Sequence, residues 1–158
     1  WGDLNVEILL APGHTEDSLL IHFPETQVLV AGDTVLSAPN QEKWALPYFV
    51  WGDAQALRNT LIIIEKMRPQ LIIPGHGMIP SLATIVWQRE YIEQLLVCVQ
   101  SHHEQYVSLD WEEATKHIVA ECPIEKICRK SSEQIWVKKV HRQNIQKVVA
   151  QLRGINYP

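Results

Sequence analysis

This chain of 158 residues lacks the features that define several broad classes of protein. No apolar run is long enough to span a membrane, and no basic segment at the start leads into an apolar one, so we expect neither a membrane partner nor a signal peptide. The 14 Lys and Arg residues are spread along the chain, and the net charge is −4. Without a basic cluster we expect no nucleic-acid partner. No repeat or low-complexity linker divides the sequence.

Cysteine is also scarce. Cys98, Cys122 and Cys128 are odd in number and have neither CxxC nor CxxH spacing. This spacing indicates neither a disulfide framework nor a thiolate zinc site, so we predict reduced thiols and a cytoplasmic location. The 46% hydrophobic content is sufficient for the core of one ordinary domain.

The hydrophobic pattern predicts mainly strands in the first half of the chain and helices in the second. Alternation of Val6, Ile8 and Leu10 favours a half-buried strand at 5–10, and a similar alternation favours one at 18–23. Continuous apolar runs and capping signals predict the remaining elements, which are a strand at 28–31 ending at Gly32-Asp33, a helix at 53–68, a strand at 71–73, and helices starting at Ser81, at Ser108 or Asp110, and at Ser131 or Ser132. In the last helix we expect four apolar residues to face inward, namely Val137, Val140, Val148 and Leu152.

Three residues that can bind a metal follow apolar runs, each beside glycine. His14 lies in Ala-Pro-Gly-His-Thr-Glu-Asp-Ser, Asp33 in Ala-Gly-Asp-Thr, and His76 in Ile-Pro-Gly-His-Gly. Proline and glycine break the chain there, so each side chain can project from the end of a strand into one shared pocket. Neutral imidazoles and a carboxylate are donors that catalytic zinc accepts, and the pattern therefore predicts a hydrolytic metal site. Asp17 follows closely, so we expect the second ring nitrogen of His14 to meet a local acceptor there.

The other histidines have structural interpretations. His22 alternates with apolar residues and is predicted to face the more polar side of its strand, away from the metal site. His102 and His103 end a long helix, where cations suit the helix dipole. Helix packing explains His117 and His141.

An aromatic segment from Trp44 to Trp51 follows Asp33 and has two interpretations. Its aromatic side chains could wall a substrate groove, or they could pack under the helices or against a partner. The sequence does not decide between them.

The run from Gly-His-Thr-x-Asp-Ser, through a strand and a Phe-Pro-Glu turn, to Val-Leu-Val-Ala-Gly-Asp closely resembles the third motif of metallo-β-lactamase-fold hydrolases and its continuation to a bridging aspartate. By motif, the resemblance covers Val6 to Gly77. It implies an α+β fold class, in which residues 1–80 form the C-terminal half of an αβ/βα sandwich. Residues 81–158 would be a helical region packed on the same domain.

The same resemblance implies a binuclear site that holds two zinc ions when complete, with iron or manganese as alternatives. His14 would bind one ion, His76 the other, and Asp33 would bridge them as the catalytic carboxylate. The activated water would attack a small-molecule ester, thioester, lactam or phosphodiester. In the family, an upstream His-x-His-x-Asp-His motif supplies the remaining ligands, and this sequence does not contain that motif.

We therefore expect the chain alone to be incomplete and inactive, although the resemblance implies that the parent protein is a hydrolase. The remaining ligands would come from an N-terminal half or from a second copy of the chain, and these are the expected partners. The alternative function is a noncatalytic interaction or structural module derived from a metallo-hydrolase half.

Overall fold

The computed structural model describes residues 2–38, 45–128 and 135–157. A strand-rich part comes first and a helical part follows, in the order β1 (Glu7–Leu10), β2 (Leu19–Phe23), β3 (Val28–Leu36), α1 (Ala54–Met67), β4 (Leu71–His76), α2 (Leu82–His103), α3 (Trp111–Glu121), α4 (Ile124–Ile127) and α5 (Ile135–Leu152). Within these ranges, no helix combines the length and the apolar character that crossing a bilayer requires.

The four strands form one sheet in the order β1-β2-β3-β4. The pairs β1–β2 and β2–β3 are antiparallel, whereas β3 and β4 are parallel. The run at 28–31 thus belongs to an inner strand, as predicted. Because β1, β3 and β4 run in the same direction, their carboxyl ends meet at one edge of the sheet.

Strands β3 and β4 extend further than the sequence predicts. The prediction ended the first of them at Gly32-Asp33, but β3 continues to Leu36 through shifts of register on both sides of Gly32. Strand β4 ends only at His76. The expectation that each residue projects from the end of a strand therefore holds for His76, whereas Asp33 lies within β3 and not after it.

One face of the sheet is covered by helices. Leu20, Leu29 and Ile72 lie on this face and are almost fully buried. The same core includes apolar residues of the two helices nearest in sequence, namely Leu57, Leu61 and Ile64 of α1 and Ile85, Ile92 and Leu95 of α2. Two ion pairs, Arg58–Glu93 and Arg89–Glu65, also join α1 to α2. Charged contacts therefore add to the buried apolar contacts that hold the two helices together.

The opposite face of the sheet is apolar and open. Ile8 and Leu10 are each 66% exposed, Leu19 is 51% exposed and Ile73 is 41% exposed. The strand register brings Leu10 opposite Leu19, so these side chains form one continuous surface across β1 and β2. The predicted half-buried strands are thus present, but the stripe with Ile8 and Leu10 is the open one.

The helix ends follow local chemistry. Asp53 caps α1 by accepting a hydrogen bond from the backbone N–H of Ala56 at 2.6 Å, and Asp110 caps α3 in the same way. In α5, Val137 and Val148 are buried as predicted, but Leu152 is 40% exposed, because the helix turns this residue away from the core at its last turn. The predicted start of this helix, at Ser131 or Ser132, lies outside the described residues.

The cysteine prediction is wrong for two residues. Cys98 of α2 and Cys122, directly after α3, form a disulfide across a sequence separation of 24 residues. Packing of α3 against α2 brings them together, which their spacing in the sequence could not indicate. Cys128 is buried and lies outside this bond. The cytoplasmic location, which was inferred from reduced thiols, stays a prediction.

Candidate metal centre

His14 lies in the turn between β1 and β2, and the first part of helix α1 holds this turn in place. The backbone N–H of Asp53 donates to the Gly13 carbonyl at 3.0 Å, and the Thr60 hydroxyl donates to the Pro12 carbonyl at 2.9 Å. A Cβ atom at Gly13 would overlap the backbone of Leu57, so only glycine permits this close approach. The turn is therefore anchored immediately before the histidine.

The imidazole of His14 is oriented by a backbone carbonyl. Its Nδ1 atom lies 2.7 Å from the carbonyl oxygen of Tyr48, and its side chain is only 11% exposed. Because a carbonyl can only accept, Nδ1 carries the proton and the lone pair lies on Nε2. The acceptor expected from the sequence, Asp17, instead receives a hydrogen bond from the Thr15 hydroxyl at 2.7 Å.

Asp33 projects from β3 at the edge where the carboxyl ends of three strands meet. Strand β4 passes so close that a Cβ atom at Gly75 would overlap the Asp33 carboxylate. The side chain is 42% exposed, so it is accessible from solvent. Gly75 therefore allows the carboxylate to lie directly beside the end of β4.

The structure brings His14, Asp33 and His76 together. The Nε2 atom of His14 lies 3.7 Å from Oδ2 of Asp33, and the Nε2 atom of His76 lies 3.4 Å from Oδ1 of the same carboxylate. The His76 side chain is 76% exposed. Each imidazole thus faces a different oxygen of one carboxylate.

This donor set fits metal ions. Two ligand atoms on one tetrahedral zinc lie about 3.3–3.5 Å apart, given bonds of about 2.0–2.2 Å to nitrogen and oxygen. The two separations in the cluster are close to that value and are longer than good hydrogen bonds. The residues could therefore hold one ion between His14 and Asp33 and another between Asp33 and His76.

Tyr48 and Trp51 surround His14 on the side of the loop before α1. Their ring centroids lie 6.0 and 5.9 Å from that of His14 and 5.2 Å from each other. Trp51 is 61% exposed, whereas Phe49 between them is fully buried in the core. Packing in the core is thus confirmed for Phe49, a substrate-contacting role for the aromatic side chains stays a prediction, and Trp44 lies outside the described residues.

A buried polar network supports the segment that carries the Tyr48 carbonyl. Asn144 of α5 donates to the Pro47 carbonyl at 2.9 Å and to the Tyr91 hydroxyl at 3.3 Å. His141 contacts the Tyr91 hydroxyl through Nδ1 at 2.9 Å and the Cys122 carbonyl through Nε2 at 2.8 Å. Burial lowers the pKa of His141 and raises the pKa of Tyr91. Sequence reasoning missed Asn144, because a lone asparagine on a helix carries no signal of what it contacts.

A second buried amide ties the same segment to β3. Gln88 of α2 donates to the carbonyls of Leu36 at 2.6 Å and Ala45 at 3.0 Å. It therefore joins the end of the strand that carries Asp33 to the start of the segment that leads to Tyr48.

The remaining histidines do not join the metal cluster. His22 contacts Glu7 through Nδ1 at 2.8 Å and occupies the helix-covered side of its strand, not the open side. The prediction that His22 points away from Leu19, Ile21 and Phe23, to the more polar face of its strand, is confirmed, because its cross-strand neighbour on that face is Glu7. His117 stacks on Tyr106, with ring centroids 4.8 Å apart.

Comparison with protein-family models identifies the family of the first half of the chain. The model described as the metallo-beta-lactamase superfamily matches residues 1–76, the segment that contains all three residues of the cluster. Residues 1–76 thus belong to the metallo-β-lactamase superfamily, and the α2–α5 region lies beyond the match. No curated protein matches the chain.

Solved metallo-beta-lactamases are similar to part of this chain. A metallo-beta-lactamase from Pontibacter korlensis superimposes with a TM-score of 0.50 at 16% identity, covering 59% of this chain and 43% of that one. DIM-1 metallo-beta-lactamase exposed to ceftazidime gives a TM-score of 0.46 at 22% identity, with 58% and 45% covered. The chain therefore spans less than half the length of these two structures, and its mixed α/β architecture corresponds to half of their fold.

Proposed function

We propose that this chain is the metal-binding half of a metallo-hydrolase, with His14, Asp33 and His76 as ligands of a binuclear zinc site. Superfamily membership supports a metallo-hydrolase. The single observation that carries the ligand assignment is that two imidazole nitrogens face separate oxygens of one carboxylate. A carboxylate in this position can bridge two ions because each oxygen can bind one. Iron and manganese remain alternatives to zinc, since both accept the same donors.

The chain's own residues have distinct tasks in such a site. Zinc, when bound, supplies a hydroxide nucleophile near neutral pH, which can attack a carbonyl carbon or a phosphorus. The Tyr48 carbonyl keeps the proton of His14 on Nδ1 and so leaves Nε2 available as a ligand. Asp33 holds the two sites at a fixed separation, and His76 lies on the solvent side, where substrate would arrive.

The proposed substrate is a small molecule with an ester, thioester, lactam or phosphodiester group. Trp51 is exposed beside His14 and, together with Tyr48, offers an aromatic surface for the apolar part of such a molecule. This contact would position the substrate without taking part in bond cleavage.

We also propose that a partner completes the site. Catalytic zinc normally has three protein ligands and a water, so two ions need more ligands than His14, Asp33 and His76 provide. The open apolar face with Ile8 and Leu10 belongs to the sheet that also carries Asp33 and His76. Exposed apolar surface of this kind marks an interaction site. An N-terminal half that packs on this face, or a second copy of the chain, would bring the missing ligands to the cluster.

The test measures metal content and turnover of the chain alone and after addition of an N-terminal half that carries His-x-His-x-Asp-His. We expect the chain alone to bind zinc weakly and to hydrolyse ester and phosphodiester substrates no faster than buffer. Metal affinity and activity should rise together in the reconstituted pair, because binding on the sheet assembles the ligands. Asp33→Ala should abolish both gains.

The matched control is His22→Ala, which removes an imidazole that contacts Glu7 and lies outside the cluster. It should leave the gains intact, whereas His14→Ala should not. Binding of two zinc ions and rapid turnover by the chain alone would contradict the proposed need for a partner. Retention of zinc by the Asp33→Ala pair would contradict the ligand assignment.

The second candidate is a noncatalytic interaction module, and the exposed apolar sheet face favours it. In this case the chain would associate through that face, but the reconstituted pair would remain inactive with metal present. The same measurements therefore separate the two functions.

A further inference from the structure

A second group of potential metal ligands lies in the helical part of the chain, outside the cluster around Asp33. Cys98 and His102 are one turn apart on α2, and Cys122 directly follows α3. Their ligand atoms all lie within 4.8 Å of one another. Two thiolates and an imidazole are donors that zinc and other thiophilic cations prefer.

The distances from the imidazole already approach those of a metal site. The Nδ1 atom of His102 lies 4.0 Å from the Cys98 sulfur and 3.9 Å from the Cys122 sulfur. On a tetrahedral zinc, a nitrogen and a sulfur lie about 3.6 Å apart and two sulfurs about 3.8 Å apart. The main change required is separation of the two sulfurs, which form a disulfide in the structure.

We propose that reduction of the Cys98–Cys122 disulfide creates a binding site for a thiophilic divalent cation such as zinc, with Cys98, His102 and Cys122 as ligands. Two molecules of a low-molecular-weight thiol cleave the S–S bond, giving two protein thiols and one small-molecule disulfide, so that thiol supplies both electrons. The cation then binds the two thiolates with release of two protons. This site is independent of the proposed hydrolase function.

The surroundings of His102 suit this role. In the structure its Nδ1 lies 2.8 Å from the Cys98 carbonyl, to which it donates when the proton is on Nδ1. Metal binding requires the other tautomer, with the proton on Nε2, and the Glu121 carboxylate lies 3.9 Å from that atom. On metal binding, Nδ1 would exchange the Cys98 carbonyl for the cation, and a shift of about 1 Å would bring Nε2 within hydrogen-bond distance of Glu121, which would then hold this tautomer and orient the ring.

The cation can reach the site from the surface. Cys98 lines an open groove of about 350 Å³ together with Val97, Lys126 and Ile127. Cys122 is fully buried on the inner side. A water molecule from the groove can therefore take the fourth position on the cation, next to three protein ligands.

The experiment uses cobalt(II) as the probe, because thiolate ligands give it an intense near-ultraviolet charge-transfer absorption. The full chain carries His14→Ala and His76→Ala, so that the cluster around Asp33 does not contribute. One sample is reduced with a dithiol that is then removed under anaerobic conditions, and another retains the disulfide. We expect one equivalent of cobalt, with the thiolate band, in the reduced sample and no band in the oxidised one.

Three substitutions and two matched controls identify the ligands. Cys98→Ser and Cys122→Ser should each abolish or strongly weaken the band, whereas Cys128→Ala should retain it. His102→Gln should lower the cobalt affinity at least about tenfold, as loss of a supporting group already does in other metal sites. The neighbouring His103→Gln should leave the affinity unchanged. Zinc should displace the cobalt and protect Cys98 and Cys122 from alkylation.

The proposal is wrong if the reduced chain shows no thiolate band, or if the band persists in Cys98→Ser. It is also wrong if Cys128→Ala removes the band. Circular dichroism of the reduced parent chain shows whether the helices persist without the disulfide, and loss of helicity would also overturn the proposal. Failure of this site would leave the hydrolase proposal untouched, because the two measurements use different residues.

Discussion

Replacing Asn144 by alanine should destabilise the protein and loosen His14, although these residues do not touch. Asn144 is fully buried, and its amide nitrogen donates to the Pro47 carbonyl at 2.9 Å and to the Tyr91 hydroxyl at 3.3 Å. The variant leaves both groups without this donor. The next carbonyl along the chain, that of Tyr48, orients His14.

The size of the effect follows from these contacts. A buried acceptor that loses its donor costs about 1–3 kcal/mol. The amide oxygen of Asn144, Oδ1, is buried and has no hydrogen-bond partner among the residues that the structure describes. Its removal in the variant therefore offsets part of the lost stability. We expect a loss of about 2 kcal/mol in the free energy of unfolding. For a chain of this length that lowers Tm by roughly 4–8 °C.

Chemical denaturation measures the stability, and two-bond ¹H–¹⁵N correlation spectra report the tautomer of His14. The parent chain should hold His14 in the Nδ1–H form, and Asn144→Ala should show a mixture of tautomers. The control is Asn59→Ala, at an exposed position on α1, which should change stability by less than about 0.5 kcal/mol. Equal stability of the two variants, or an unchanged His14 spectrum in Asn144→Ala, would refute the proposed support of His14 by α5.

Three further predictions concern other parts of the molecule. Burial lowers the pKa of His141 in the folded state below its unfolded value of about 6.5. The unfolded state therefore binds more protons between these two pKa values, and the free energy of unfolding should fall as the pH drops from 7 towards the folded-state pKa. Denaturation curves of His141→Gln should lack this part of the pH dependence, and a profile identical to that of the parent chain would contradict the prediction. Gly75→Ala should push the Asp33 carboxylate out of position and lower zinc affinity in the reconstituted pair about tenfold or more, measured by competition with a chromophoric chelator. Leu10→Asp, on the open sheet face, should weaken association with the partner half by at least about 2 kcal/mol in sedimentation experiments, with little effect on folding of the chain itself, and unchanged association would mean that the partner binds elsewhere.

The sequence predicts the positions of the cluster residues because their placement depends on local chemistry. Proline and glycine end or bend the chain beside His14 and His76, and the apolar runs before them form strands. Once β2 reverses direction between β1 and β3, the carboxyl ends of β1, β3 and β4 share one edge.

The sequence could not predict which face of the strands is covered. In β1 the residues Ile8, Leu9 and Leu10 are all apolar, and Leu19, Leu20 and Ile21 of β2 are apolar as well. Alternation identifies two faces only when one of them is polar. The helices cover the face of Leu20, and this depends on contacts with residues far along the chain.

Two further features escape sequence reasoning for a related reason. The acceptor that orients His14 is a backbone carbonyl, and every residue type carries one, so the identity of Tyr48 gives no indication of it. The Cys98–Cys122 bond depends on how α3 packs on α2, which the spacing of the cysteines does not encode.

The contacts of α5 have a consequence for the order of folding. Asn144 reaches Pro47 across 97 residues, and Gln151 reaches the α1 cap Asp53 across 98. Contacts between residues so distant in sequence close large loops and are slow to form. On a ribosome, the strands and α1 would emerge long before the helix that fixes residues 45–48. The orientation of His14 is therefore completed only after α5 has been synthesised and has docked, about 100 residues after Pro47 and Asp53.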